Sequence, residues 1–196
     1  MLGIGNVRES LPGTYFDDIY ERSADPWNFA SSEYEAAKYQ ETLASLPRSL
    51  YASGLEVGCS IGVLTGQLAR RCTALLAVDV SSRALQSAEQ RCADLGNVRF
   101  ACMELPVTMP DGSFDLVVVS EVGYYWKRAD LELVITLLSQ RQPRGGHLIL
   151  VHFTPAVADY PLTGDAVHEL WLARPEWSLL HQSRQETYRL DVLQRS

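Results

Sequence analysis

Leu55-Glu56-Val57-Gly58-Cys59-Ser60-Ile61-Gly62 reads as the end of a buried strand, a glycine turn and the start of a helix. A second apolar run, Ala74-Leu75-Leu76-Ala77-Val78, ends at Asp79. A carboxylate at the tip of a second strand, about 20 residues past a glycine turn, can grip the two hydroxyls of a ribose. The pair of features predicts a nucleoside-containing cofactor held at the edge of a parallel α/β sheet.

Working outward, helices and strands alternate. Val63 to Arg71 reads as a helix with Leu64 and Leu68 on one face. Ser81 caps a helix whose inward face is Ala84, Leu85, Ala88, Cys92 and Leu95. Asn97 to Cys102 is a third strand, and Asp111-Gly112 turns into Phe114 to Val119, apolar on both faces as a central parallel strand must be. Leu131, Val134, Ile135 and Leu138 mark another helix. Pro143-Arg144-Gly145-Gly146 is a turn into His147 to Val151, followed by a short helix over 165–173 and a closing hairpin from Ser178–Arg184 and Thr187–Val192. Upstream, Ser32 to Glu35 has capping-box spacing, and Ala36, Tyr39, Leu43 and Leu46 continue a helix to Pro47. Residues 1–30, broken by Pro12, Gly13 and Pro26, read as irregular.

The expected fold is therefore α/β: a doubly wound, mostly parallel seven-stranded Rossmann-like sheet with an N-terminal helical cap. One domain is expected over 1–196, with a cap or lid at 1–48 and a cofactor-binding core at 49–196. Right-handed crossovers bring the strand C-termini to one edge, carrying Gly58, Asp79, Cys102-Met103-Glu104, Ser120-Glu121 and His152-Phe153.

The bulk numbers agree with an ordinary globule: 46% hydrophobic and 21% charged residues. A formal net charge of -7 argues against a nucleic-acid partner. No apolar run approaches the roughly 20 residues of a membrane span, and Met1-Leu2-Gly3-Ile4 lacks a secretory signal's basic start. Cys59, Cys72, Cys92 and Cys102 form no CxxC pair and have no ligand spacing to His147, His152, His168 or His181, so no metal site is expected. Reduced cysteines suit the cytoplasm, and a monomer is expected.

Two nucleoside cofactors compete. A dinucleotide fingerprint needs a middle glycine to admit the pyrophosphate, and Ser60 stands in its place. A cofactor without phosphates, S-adenosylmethionine (SAM), fits better, and a nicotinamide oxidoreductase is disfavoured. Here the residues also resemble a family. Glu56-Val57-Gly58-Cys59-Ser60-Ile61-Gly62 is similar to the first motif of class I SAM-dependent methyltransferases, Leu105-Pro106 to Val117 to their fourth-strand region, and Pro143 to Leu148 to the turn before their fifth strand. A narrower likeness, to the nodulation protein S family, rests on Tyr15-Phe16-Asp17-Asp18-Ile19-Tyr20, Asp25-Pro26-Trp27, Tyr34-Glu35 to Lys38-Tyr39, and Ser120-Glu121-Val122-Gly123-Tyr124-Tyr125. That resemblance implies N-methylation of the non-reducing glucosamine of a chitooligosaccharide in Nod-factor synthesis, with S-adenosylhomocysteine (SAH) as the second product.

The resemblance assigns Gly58, Gly62, Cys59 and Ser60 to the cofactor turn, Asp79 and the adjoining Val80 to the ribose side, and Met103, Glu104 and Leu105 to the adenine. Glu56 either orients the methionine amino group or is a structural carboxylate. Glu121 is the first candidate to accept the amine's proton, with Tyr124 and His152 behind it, and it also borders the cofactor. Tyr15 and Trp27 would lid the cofactor or pin the N-terminal segment. Trp27, Tyr124 and Tyr125 offer faces to a sugar, and Lys38 is a substrate contact or a solvated helix residue. The alternatives are transfer to another small amine or hydroxyl, and SAM binding without turnover.

Overall fold

The computed structural model describes residues 9–196, and residues 1–8 lie outside the described part. Seven strands form one sheet: β1 (Tyr51–Val57), β2 (Cys72–Asp79), β3 (Val98–Cys102), β4 (Leu116–Ser120), β5 (His147–Phe153), β6 (Trp177–Arg184) and β7 (Tyr188–Arg195), in the order β3-β2-β1-β4-β5-β7-β6. The first five strands run parallel, while β7 pairs antiparallel with both β5 and β6. The helices are α1 (Gly13–Arg22), α2 (Glu33–Ala44), α3 (Val63–Leu68), α4 (Ser82–Arg91), α5 (Arg128–Arg141) and α6 (Gly164–Leu172).

The central strands are apolar because both faces are covered. Along β4, Val117 and Val119 join one core with Leu131, Val134, Ile135 and Leu138 of α5 and Trp171 of α6, whereas Leu116 and Val118 join another with Leu64 and Leu68 of α3 and Tyr39 of α2. Along β5, Leu148 and Leu150 face the first, Ile149 and Val151 the second. The expected α5 face is the buried one.

One expectation needs correcting. Residues 13–22, read as irregular, form α1, with Pro12 at its N-cap. The presumed break marks a start, since proline is harmful only further inside a helix. Phe16 and Tyr20, one turn apart, pack against Ile61 and Ala84. The α1 helix is tied to α4 where Ser81 Oγ donates to Asp17 Oδ1 at 2.6 Å. The capping box at Ser32 is half formed. Ser32 Oγ accepts from Glu35 N at 3.3 Å, but the Ser32 N–H is taken by Asn28 O, which releases the Glu35 side chain for other work.

The connection from β3 to β4 changes sides of the sheet, so the switch point lies between β1 and β4. There Gly58 takes φ +77°, and a Cβ on it would stand 3.0 Å from Val122 Cβ. Gly62, at φ +79°, is the N-cap of α3 and lies against Ala88 of α4. A Cβ on Gly62 would come within 3.0 Å of the Ala88 Cα. Replacing Gly62 with Ala is expected to destabilise the fold by at least about 1 kcal/mol, from left-handed strain and helix displacement together. Urea denaturation of Gly62→Ala beside the parent chain measures this.

Candidate active site

A cavity of about 430 Å³ opens at the switch point, within the size range of small-molecule sites. Its floor is Glu56 to Ile61, its side walls are Val78 to Val80, Met103 to Val107 and Ser120 to Val122, and its roof is Phe16, Tyr20, Trp27 and Phe29. Trp27 stacks on Phe29 with centroids 5.6 Å apart and meets Tyr20 edge-on at the same separation.

Asp79, at the tip of β2, closes the turn below. Its Oδ2 accepts from Ser60 N at 2.8 Å and its Oδ1 from Ser81 N at 2.9 Å. Ser60 adopts φ +50° to make that contact, and its Oγ is 2.5 Å from the Tyr20 hydroxyl. A carboxylate has about four acceptor sites, so Asp79 retains capacity for a ligand that enters the cavity. Burial raises its pKa, opposed by the backbone donors of Ser81, Ser60 and Val80.

Glu56 is 2% exposed, and its Oε2 has no hydrogen-bond partner among the described residues. Burial, together with the Asp79 charge, pushes its pKa up to about 8 against a relieving contribution from Thr65. A buried acceptor without a donor is costly unless a ligand supplies one.

On the β4 side of the cavity stands Glu121, which follows β4 with φ +56°. Its Oε1 receives Lys38 Nζ at 2.5 Å, and its Oε2 receives the Tyr124 hydroxyl at 2.7 Å and Phe153 N at 2.9 Å. Lys38 also donates to Glu35 Oε1 at 2.9 Å. Its ammonium lies 4.9 Å from the centroid of Tyr34 and 5.9 Å from that of Tyr188. Lys38 is 2% exposed and so is not a solvated helix residue. Burial lowers its pKa, but Glu121 and Glu35 outweigh this and the net shift is upward. One ammonium thus serves two carboxylates.

The structure brings together Trp27, Lys38, Glu56, Gly58, Cys59, Ser60, Asp79, Val80, Met103, Glu104, Leu105, Glu121, Tyr124 and Tyr125 around this cavity. Three expected residues stand elsewhere. Gly62 packs on α4, and Tyr15 sits outside the lining with its ring against Phe16. His152 is fully buried behind the loop, and Gly123 N donates to its Nε2 at 3.1 Å. That donor makes Nε2 the unprotonated nitrogen, so Nδ1–H points at His168 Nε2, 3.0 Å away, and His168 Nδ1–H points at Asp191 Oδ2, 2.8 Å away. Burial lowers the pKa of both histidines. His152 is therefore a neutral support for the loop, without access to the cavity. Tyr124 is likewise committed as a donor: burial and the Glu121 charge hold its pKa well above the ordinary value.

Among cavity residues with no sequence-based assignment, Glu35 accepts from the Lys38 ammonium, Tyr39 lines the wall from the same helix, and Tyr160 stacks on Tyr124 at 5.0 Å. The spacing of Glu35 carried a capping signal that hid its position. Three cysteines are buried, but Cys102 is exposed.

The sheet order, the switch-point cavity and the acid at the tip of β2 are those of the class I SAM-dependent methyltransferase fold. A solved structure from Pseudomonas syringae described as a methyltransferase is 35% identical with a TM-score of 0.75, covering 84% of this chain and 100% of that one. The N-methyltransferase NodS of Bradyrhizobium japonicum WM9, solved with SAH, has the same fold, with a TM-score of 0.83 at 24% identity over 91% of this chain and 97% of that one. The family model of nodulation protein S (NodS) matches residues 18–149, and the chain belongs to that family. Nodulation protein S of Rhizobium tropici is 31% identical over 127 residues, 64% of this chain and 53% of the relative. The chain spans about half the length of the curated nodulation relatives it matches.

Two stability outcomes follow from the buried charges. Lys38→Met leaves Glu35 and Glu121 without their cation and is expected to cost about 3–5 kcal/mol in urea denaturation. For Glu56, the raised folded-state pKa contributes stability that is complete below about 4.5 and lost as pH rises to about 8. Glu56→Gln should therefore gain on the ligand-free parent across that interval, and equal pH slopes in the two chains would contradict it.

Proposed function

We propose that this chain is a SAM-dependent N-methyltransferase that methylates the free amine of the non-reducing glucosamine of a deacetylated chitooligosaccharide, in cytoplasmic Nod-factor synthesis. Membership of the nodulation protein S family supports this reading. The observation that carries it is the polarity of the cavity: a nucleoside-type cradle at Asp79 and Glu56, and an acidic cluster around one ammonium at Glu121.

The residues fit SAM. Asp79 has spare acceptor capacity for the ribose hydroxyls, and the orphaned Glu56 Oε2 suits the cofactor's ammonium. Backbone of Gly58, Cys59 and Ser60 would border its amino-acid end, and Val80, Met103, Glu104 and Leu105 its adenosine. Bound there, SAM supplies a methyl group already activated on a sulfonium. The protein's task is alignment and exclusion of water.

Residues 9–48 provide the cap in this reading. Trp27, Tyr20 and Phe29 shield the cofactor end, while Tyr125 lines the acceptor end as an apolar surface for a sugar ring, with Tyr124 buried against Tyr160. Two carboxylates sharing Lys38 leave a net negative site, which favours a cationic amine over a neutral hydroxyl. No helix among the described residues is long and apolar enough to cross a membrane.

Asp79→Ala is expected to weaken SAH binding by about 1.5–3 kcal/mol, roughly 10- to 150-fold, in titration calorimetry. With radiolabelled SAM, deacetylated chitooligosaccharide should gain label while simple amines gain little. Label entering only the simple amines would replace the glycan substrate, and no SAH binding by the intact chain would remove the enzyme altogether.

A further inference from the structure

Glu121 is poorly suited to take a proton from the acceptor, because both its oxygens are engaged by donors: Lys38 on one, Tyr124 and Phe153 N on the other. Glu35 differs. One turn of α2 before Lys38, it lines the same cavity and is 8% exposed. Its Oε1 accepts from Lys38, whereas its Oε2 is buried with no hydrogen-bond partner among the described residues. Lys38 grips both acids, which fixes Glu35 beside Glu121 rather than letting it swing to solvent.

Resting on the N-methyltransferase reading, we propose that Glu35 is the catalytic residue that receives the proton of the acceptor ammonium, with Glu121 and Lys38 as its positioning partners. A protonated amine cannot attack. The N–H proton passes to the Glu35 carboxylate, and the nitrogen lone pair so released forms the new N–C bond. The S–C bond of the sulfonium breaks with its electron pair left on sulfur, giving a neutral thioether and a methylated ammonium. Charge and atoms balance without another reactant.

The surroundings tune the acid for this use. Burial raises the Glu35 pKa, and the nearby Glu121 charge adds to the rise. Lys38 and Tyr39 on its own helix pull it down without cancelling the rise. From β7, Tyr188 approaches the same carboxylate, with its hydroxyl held by Glu41 of α2. A carboxylate of higher pKa is a stronger base.

The test compares the whole wild-type chain with Glu35→Gln, which retains an oxygen for Lys38, and with Glu35→Asp. SAH affinity by calorimetry should stay within about twofold in Glu35→Gln, while kcat toward deacetylated chitooligosaccharide falls by about 10²–10⁴. The acid limb of the wild-type kcat/KM profile, placed above the ordinary carboxylate value of 4.5, should vanish in Glu35→Gln and persist in Glu35→Asp. A Glu35→Gln kcat within about threefold of wild type would overturn the assignment, the hundredfold lower bound for acid–base catalysis being unmet. A drop in SAH affinity of about tenfold or more, worth 1.4 kcal/mol, would overturn it differently, by placing Glu35 on the cofactor's amino group. Failure of the wild-type chain to methylate any amine would instead sink the enzyme reading beneath it.

Discussion

The ammonium of Lys38, buried between Glu35 and Glu121, is the contact on which the arrangement of the site depends. Glu121 occupies a left-handed backbone conformation that a non-glycine residue holds only when its surroundings insist. Lys38, Tyr124 and Phe153 N are what insist, and they come from α2, the loop after β4 and β5. Desolvating three charges offsets most of their mutual attraction, so the cluster contributes more to geometry than to net stability. It locks α2 to the carboxyl edge of the sheet beside the cavity.

Across the cavity, Asp79 performs a double function. Its oxygens draw in the backbone N–H groups of Ser60 and Ser81, which shapes the floor of the site and starts α4. The same carboxylate remains available to a ligand. Gly58 and Val122 then touch across the switch point, so the glycine turn and the Glu121 loop are set against each other by contact rather than through distant elements. The cavity thus carries acid groups of different character: Asp79, cradled by backbone, and Glu121, gripped by a lysine.

The fold was legible from the sequence because its signals are local and repeated. Alternating apolar strands and the Leu131–Leu138 stripe demand two-sided burial, and the acid after the second strand marks the edge that binds ligands. The site was only partly legible. Asp79 and Glu56 stand where spacing put them, since each ends or precedes the end of a strand. Lys38 could be read as a substrate contact or a solvated helix residue but not as a buried ion-pair centre, because its partner Glu121 is distant in sequence and charge pairing across such a separation leaves no periodic trace. Glu35 was masked by a capping pattern that is only half used. His152 lay at the correct edge, but its side chain turns behind the loop toward His168, a direction that strand position alone does not determine.

The chain from Gly123 through His152 and His168 to Asp191 has a temporal consequence. Asp191 lies on β7, while the loop it supports follows β4. During synthesis on the ribosome, the first four strands emerge well before that aspartate does. Until it arrives, His168 lacks its acceptor and His152 lacks an enforced tautomer, so the Gly123 amide has no fixed partner. Vectorial folding can thus assemble the Asp79 side of the cavity early, but the loop after β4 matures only when β7 docks.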